Sequence, residues 1–311
     1  MRPTRLVSLL AGGTEILYGL GLGDRVVGIS HECDYPPEAI DKPRVTCANI
    51  AAQASSADID AEVKARLARS EALYRIDLDL LAELAPDLIV TQSQCEVCAV
   101  SADEVEAAIA DVPALRDIPI VSLNPTTLPA VFDDIRRVGH AAGVDRQAGQ
   151  YVASLQARVE WVRSATAKLD LAAKPRVACI EWVDPLMIAA NWMPELVDTA
   201  GGRNELTKAG DRTAYAAPGA LIEYDPEVIV IAPCGFDLQR TIAELIVLAR
   251  SPGWTSLSAV RGGRVFAADG NAYFNRSGPR LVDTLELLAG ILHPALFRDF
   301  AAKYEPFVAS C

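Results

Sequence analysis

Four residues of this 311-residue chain have the types and spacing to bind a soft metal ion or to carry out thiol chemistry. His31 and Cys33 stand in one short segment, and Cys95 and Cys98 form a lone C-x-x-C pair in another. Imidazole nitrogens and cysteine thiolates are ligands that zinc and other soft metals prefer. Three alternatives stay open for this His/Cys cluster: a contact with a divalent metal or cobalt, reversible thiol chemistry, and residues that only stabilise their loops.

Both segments directly follow predicted strands. The apolar run 26–30 precedes His31, and the run 88–91 precedes the C-x-x-C loop. Neighbouring parallel strands lie about 4.8 Å apart, so loops that leave their carboxyl ends come within side-chain reach. Open α/β sheets also bind ligands at this edge. Three loops in the second half of the chain follow strands in the same way and are further candidates, 182–185, 234–236 and 270–276.

Strand and helix patterns alternate along the whole chain, which is typical of an α/β fold with mostly parallel sheets. Between about Asp145 and Leu169, apolar residues recur at spacings of 3, 4 and 7, which predicts one long helix. We predict two Rossmann-like lobes, residues 1–144 and 171–311, joined by a connecting helix over 145–170, with a ligand cleft between the lobes. Thr14 is expected to cap the first helix.

Composition narrows the class of protein. Lys and Arg total 29 against 41 Asp and Glu, giving a net charge of −12, which argues against nucleic acid as a partner. Phosphate-loop, dinucleotide, nucleophile-elbow and zinc-protease motifs are absent from the sequence, so we predict a protein that is not an enzyme. No apolar run approaches the roughly 18 residues that a membrane span needs, so membrane insertion is not expected.

The beginning of the chain and its cysteines predict a cytoplasmic location. The apolar run 6–11 is shorter than the core of a secretory signal. Seven cysteines are an odd number and do not form a disulfide framework. A periplasmic location is expected only if a signal peptide was removed ahead of the first residue.

The order of several motifs resembles a known family. In chain order the sequence reads LLAGGTEI, CDYPP, RVTC, LAPDLIVT, a long joining helix, AGGRNEL and YFNRSGPR. This order resembles the periplasmic binding-protein fold of the cobalamin and ferric-siderophore type, and above all the cobalamin-binding proteins of ABC importers. The resemblance covers nearly the whole chain and implies a solute-binding protein that holds a corrinoid between its lobes. Ferric-siderophore binding, and a metal-handling or thiol-dependent enzyme that uses the His/Cys cluster, are the alternatives.

The resemblance also implies which residues contact the ligand. In the family, the tyrosine of the first motif and aromatic residues of several loops contact the corrin ring. Those positions correspond to Tyr35, Trp182, Tyr215, Tyr273 and Phe274. Stiff aromatic walls suit a wide, flat and mostly apolar ligand. Two further candidates stand on the loops that follow predicted strands, Phe236 and Arg276.

One departure from the family concerns its transport partner. Exported members use one exposed carboxylate in each lobe to dock on arginines of the membrane permease. Asp79 stands at the first of these positions, whereas Gly219 stands at the second. We therefore expect a protein that binds a corrinoid or metal chelate without docking to an importer in the usual way.

Overall fold

The computed structural model describes residues 2–93, 99–217 and 219–311, so Cys95 and Cys98 lie outside the described residues. The strands are β1 Leu6–Ser8, β2 Val26–Ile29, β3 Thr46–Ala48, β4 Tyr74–Ile76, β5 Leu88–Gln92, β6 Ile120–Leu123, β7 Val177–Trp182, β8 Met187–Ile188, β9 Ala214–Tyr215, β10 Val228–Ile231, β11 Val265–Ala268 and β12 Val308–Ser310. The helices are α1 Ala11–Gly19, α2 Ser56–Ala68, α3 Leu78–Leu84, α4 Ala102–Ile109, α5 Leu128–Ala141, α6 Asp145–Thr166, α7 Met193–Thr199, α8 Ala220–Tyr224, α9 Leu238–Ala249, α10 Ser258–Arg261, α11 Leu281–Leu292 and α12 Arg298–Tyr304.

The first lobe contains a sheet in the order β2-β1-β5-β6, and all its strand pairs are parallel. Both central strands, β1 and β5, are buried along their whole length. Continuous aliphatic runs suit strands that are covered on both faces. A separate antiparallel pair, β3 and β4, stands beside the loop that follows β2. The carboxyl ends of β1, β2 and β5 therefore lie at one edge.

The second lobe contains a mixed sheet in the order β12-β11-β10-β7-β8-β9. The central strands β11, β10 and β7 are parallel, whereas β12, β8 and β9 add antiparallel pairs at the two sides. The predicted fold class of two α/β lobes is confirmed, and the strand arrangement of the second lobe is more mixed than that of the first. Loops after β7, β10 and β11 form its carboxyl edge.

The long helix α6 joins the two lobes through a shared apolar core. Its 22 residues span about 33 Å at a rise of ~1.5 Å per residue. The helix packs against α5 of the first lobe and against α7 and α11 of the second. Its buried stripe, including Val152, Leu155 and Val159, belongs to one core cluster with residues of both lobes. The lobe boundaries at 144 and 171 stay a prediction.

The beginning of α1 corrects one expectation. The helix begins at Ala11, so Gly12 lies in its first turn, and Thr14 lies within the helix rather than capping it. The Thr14 hydroxyl instead lies 3.0 Å from the Cys33 Sγ. A Cβ on Gly12 would lie 2.6 Å from the Ser277 carbonyl oxygen, so glycine permits a close approach to the YFNRSGPR segment. None of the helices in the described ranges is long and apolar enough to cross a membrane.

Candidate ligand-binding cleft

Five side chains form a charged cluster that links the two lobes: Glu15, Asp34, Asn271, Arg276 and Arg280. Arg276 donates two hydrogen bonds to Asp34, at 2.5 Å to Oδ1 and 2.8 Å to Oδ2. Arg280 donates one bond of 2.6 Å to Glu15 Oε1, which also lies 3.5 Å from Arg276 Nη1. Asn271 donates to Asp34 at 2.7 Å. Both arginines of the YFNRSGPR motif are thus paired with carboxylates of the first lobe.

The charged cluster is arranged so that each charge has a partner. Burial alone would raise the pKa of Asp34, but hydrogen bonds and the charge of Arg276 outweigh it, so the pKa lies below its usual value. Arg280 also lies over the Tyr35 ring, 4.1 Å from its centroid. Glu15 and both arginines are less than a tenth exposed. Glu15, Arg276 and Arg280 therefore form a buried ion network, whereas the Asp34 side chain is 43% exposed.

A second set of contacts, which we call the α2–α9 edge, links α2 and its preceding loop to the second lobe. Trp182 Nε1 donates to the Ser56 carbonyl oxygen at 3.2 Å, and Tyr215 donates to Asp60 at 2.6 Å. Ser56 Oγ donates to Glu244 at 2.6 Å. Arg240 donates to two carbonyl oxygens of this loop, those of residues 52 and 54. None of these hydrogen bonds joins two charged groups, so the edge differs from the charged cluster in having no ion pair among them.

Between these contacts lies a cleft floor, which we define as Glu32, Glu181, Thr213 and Cys234. Glu181 is the penultimate residue of β7, and its Oε2 accepts a bond of 2.9 Å from Thr213 Oγ1. Burial raises the pKa of Glu181 to about 6, despite that bond. Burial, together with the charges of Glu181 and Glu32, raises the pKa of Cys234 to about 12. One carboxylate from each lobe thus disfavours the thiolate form of Cys234, which stays uncharged.

The described half of the His/Cys cluster is divided between two environments. His31 Nδ1 lies 2.8 Å from Thr46 Oγ1, and its Nε2 lies 3.2 Å from Glu32 Oε1. Cys33 is buried, with its thiol against the oxygens of Thr14 and Ser30.

The structure places the Cys33 thiol in the core rather than at the surface of the cleft, and its predicted role as a metal ligand stays a prediction. Burial raises the pKa of this thiol and keeps it protonated. Among the residues that the structure describes, no group of three or more His, Cys, Asp or Glu side chains is placed to hold a metal ion. Cys95 and Cys98 fall outside those residues, and their part of the metal-site prediction stays a prediction.

Three of the aromatic candidates reach the surface of the cleft. Tyr35 is 43% exposed and Tyr215 is 50% exposed, and they belong to different lobes. Trp182 is half-buried, and its ring packs at 66° to the Phe236 ring with 5.3 Å between centroids. Phe236 itself is buried beneath the guanidinium of Arg240.

The remaining two aromatic candidates lie in the core. Tyr273 packs edge-on against Tyr304 and Phe307, and Phe274 is only 2% exposed. The backbone nitrogen of Phe274 donates to Thr284 Oγ1, which fixes the loop onto α11. These rings support the YFNRSGPR segment, and their predicted contact with a ligand stays a prediction.

Four polar residues of the cleft escaped the reasoning from sequence: Glu15, Asp34, Glu181 and Arg280. One local signal could have identified Glu181, because it is the single acidic residue in the apolar strand VACIEW. Buried strands rarely contain an unpaired carboxylate. Glu15 and Arg280 lie 265 positions apart in the chain, so no local pattern reveals their contact.

Two α/β lobes joined by one long helix, with polar and aromatic loops meeting between them, define a two-lobed solute-binding protein. A family model described as periplasmic binding protein matches residues 6–272, and the chain belongs to this family. Proteins similar to this chain include vitamin B12-binding, heme-binding and possible iron-binding proteins. The predicted resemblance is thereby confirmed at the level of the family.

Two relatives match over most of the chain. An uncharacterized ABC transporter substrate-binding lipoprotein of Bacillus subtilis is 24% identical over 305 residues, which cover 96% of this chain and 82% of the relative. A vitamin B12-binding protein of Vibrio cholerae is 24% identical over 291 residues, covering 91% and 86%. Both matches span both lobes.

Solved structures share the fold. A possible iron-binding, periplasmic solute-binding protein of Staphylococcus epidermidis superposes with a TM-score of 0.70 at 19% identity, covering 94% of this chain and all of that one. A periplasmic heme binding protein of Pseudomonas aeruginosa gives 0.67 at 20% identity, with 94% of each chain covered. At this identity the superpositions show the fold alone.

Proposed function

We propose that this protein binds a corrinoid in the cleft between its lobes. The observation that carries the proposal is the charge arrangement of the cleft. Arg276 and Arg280 are already engaged by Asp34 and Glu15, whereas Glu181 bonds to a hydroxyl group rather than to a cation. The cleft is therefore suited to a neutral or cationic ligand, not to an anionic one.

This arrangement favours a corrinoid over a heme. A heme has two propionate carboxylates, which call for free arginine or lysine donors. A corrin ring has amide groups around its rim, and amides both donate and accept hydrogen bonds without a charge. The acidic cleft floor and the net charge of −12 point in the same direction.

Exposed aromatic rings on both lobes support a wide, flat ligand. Tyr35 belongs to the first lobe, and Trp182 and Tyr215 belong to the second. Contacts of aromatic rings with a flat ligand contribute about 1 kcal/mol per pair beyond burial, or about fivefold in Kd. The match to the vitamin B12-binding protein of V. cholerae over 91% of the chain adds further support.

Titration with hydroxocobalamin, followed by calorimetry and by tryptophan fluorescence, tests the proposal. We expect one corrinoid per chain, with quenching that arises mainly from Trp182. Trp182→Phe should remove most of the quenching and weaken binding about fivefold. Trp161→Phe is the matched control, because Trp161 is 56% exposed on α6 and packs only against Phe297 and Phe300 among the aromatic rings described.

Parallel titrations with hemin and with a ferric hydroxamate separate the alternatives. Binding of hydroxocobalamin that is at least tenfold tighter than either supports the proposal. Absence of heat at high micromolar hydroxocobalamin, or tighter binding of hemin, overturns it. The thiol-dependent alternative gains no support from Cys33, whose thiol is buried.

Action without permease docking and a cytoplasmic location are part of the same proposal. Asp79 lies in the exposed first turn of α3, whereas Gly219 occupies the corresponding position at the exposed beginning of α8, and the acidic residue of that turn is Glu223. Fractionation of the native cells should recover the protein with cytoplasmic markers. Recovery from the periplasm, or with the membrane, would contradict this part.

A further inference from the structure

Glu181 is a carboxyl group of the cleft floor with one oxygen held by a hydrogen bond and the other without one. Thr213 Oγ1 accepts a hydrogen bond of 3.0 Å from the backbone nitrogen of Ala190, which directs the hydroxyl proton of Thr213 to Glu181 Oε2 at 2.9 Å. In the described part of the chain, no hydrogen-bond donor contacts Glu181 Oε1. The side chain is half-buried at the carboxyl edge of β7.

Within residues 2–93, 99–217 and 219–311, no Lys, Arg or His forms an ion pair with Glu181. The next loop, after β10, contributes Cys234, whose backbone nitrogen bonds to the Glu181 carbonyl oxygen at 3.1 Å. The facing lobe contributes Glu32, and the charge of Arg276 that reaches this region is paired with Asp34. Unlike Glu15 Oε2, Glu181 Oε1 is not sealed inside the protein, so a hydrogen-bond donor on a ligand can reach it.

We propose that Glu181 Oε1 accepts a hydrogen bond from a primary amide on the rim of the bound chelate, and that this contact selects amide side groups over carboxylates. This inference rests on the proposed function and adds the chemical group that is recognised. An amide N–H forms a charge-assisted bond with the carboxylate. A ligand carboxylate in the same place would face Glu181 and Glu32 without a donor, and like charges would repel it.

The test compares two ligands that share a ring and differ only at its rim. The probes are dicyanocobyrinic acid, which has carboxylates around the corrin ring, and its amide derivative, in which every carboxylate is an amide. The wild-type protein should bind the amide at least tenfold tighter. Glu181→Gln keeps the shape of the side chain and should narrow this preference about tenfold, since a charged hydrogen bond contributes about that much more than a neutral one.

Two further variants keep the test decisive. Glu160→Gln makes the same change of charge on the outer surface of α6, where Glu160 pairs with Arg163, and should leave the ratio of the two Kd values unchanged. Thr213→Val keeps the charge of Glu181 but removes the hydrogen bond from Thr213 Oγ1 to Glu181 Oε2. We expect it to narrow the ratio by less than Glu181→Gln does, and it substitutes for that variant if Glu181→Gln does not fold.

The outcomes separate the inference from the proposed function. The Kd of the carboxylate probe divided by that of the amide probe measures the preference. If this ratio falls in Glu181→Gln but not in Glu160→Gln, the hydrogen bond between Glu181 and a ligand amide is supported. If both Glu181→Gln and Thr213→Val have the same Kd ratio as the wild-type protein, the inference about Glu181 is overturned, but the proposal that the protein binds a corrinoid is not. If the wild-type protein binds neither probe nor hydroxocobalamin, the proposed function itself fails.

Discussion

The two sets of inter-lobe contacts differ in burial and in charge. The charged cluster places Glu15 beneath Arg276 and Arg280, and all three side chains are less than a tenth exposed. The α2–α9 edge uses Tyr215, which is 50% exposed, and hydrogen bonds that do not join two charged groups, such as the two from Ser56 to Glu244. Breaking a buried ion network leaves charges unpaired, whereas water can replace a surface hydrogen bond.

This difference indicates that the lobes are held together at the charged cluster and can separate at the α2–α9 edge. Glu15 lies on α1, which packs with α5, and Arg280 caps α11, which packs with α6. The charged cluster is thus continuous with the apolar core that both lobes share. The α2–α9 edge has no comparable apolar backing, because most of the residues in the 49–55 loop are exposed. We expect the lobes to part first at the α2–α9 edge.

The largest expected effect comes from removing the shared carboxylate of the charged cluster. Glu15→Ala leaves Arg276 and Arg280 less well paired in a buried site and should lower the free energy of unfolding by about 3–5 kcal/mol. Urea denaturation measures the change. Glu244→Ala at the α2–α9 edge is the comparison; it removes two hydrogen bonds from Ser56 and should cost about 1–2 kcal/mol. Equal losses in the two variants would refute the distinction.

A backbone change at the same side of the cleft should cost less. Gly12→Ala places a methyl group 2.6 Å from the Ser277 carbonyl oxygen and should lower the free energy of unfolding by about 1–3 kcal/mol. Gly149→Ala in α6 is the matched control, because its Cβ meets no atom within 4 Å. That variant should gain about 0.5–1 kcal/mol from helix propensity. A stable Gly12→Ala would show that the segment 277–278 moves freely.

The stability of the folded protein should depend on pH through Glu181, which belongs to the cleft floor between the two sets of inter-lobe contacts. The pKa of Glu181 is raised from 4.5 to about 6, so the folded protein holds this proton more tightly than the unfolded chain does. Its contribution is fully present below pH 4.5 and is lost as the pH rises through 6, by about 2 kcal/mol at most.

The measurement subtracts two denaturation series between pH 4.5 and 7.5, wild type and Glu181→Gln. The subtraction removes the titration of neighbours such as Glu32 and leaves that of Glu181. Cys234, with its pKa raised to about 12, stays neutral over this range. A difference between the two proteins that does not change with pH would contradict an elevated pKa at Glu181.

The smallest effect on stability is expected at the α2–α9 edge, where loss of a contact should mainly increase local motion. Tyr215→Phe removes one bond of 2.6 Å to Asp60 and should change the free energy of unfolding by less than about 1 kcal/mol. Amide hydrogen exchange should nevertheless become faster over 52–64, and not in α11. Saturation with hydroxocobalamin should slow that exchange again. Unchanged exchange at 52–64 would show that Tyr215 does not hold this edge.

The sequence by itself determined the layers of the fold and its long helix. Strands such as β5 and β10 are continuous aliphatic runs, and α6 has an apolar stripe with helical spacing. These patterns are local, since each depends on residues within a few positions of one another. The predicted helix over 145–170 therefore agrees with α6, which ends at Thr166. Tyr35 and Trp182 are selected through the family resemblance rather than from a local pattern, and Trp182 is the last residue of β7.

The orientation of individual side chains and their contacts across the cleft follow only from the tertiary structure. Cys33 and Asp34 are neighbours in the chain, yet the Cys33 thiol is buried in the core and Asp34 reaches Arg276 of the other lobe. The contact between Glu15 and Arg280 joins residues 265 positions apart. A spacing pattern contains no information about such pairs, because they depend on how two separately patterned lobes pack against one helix.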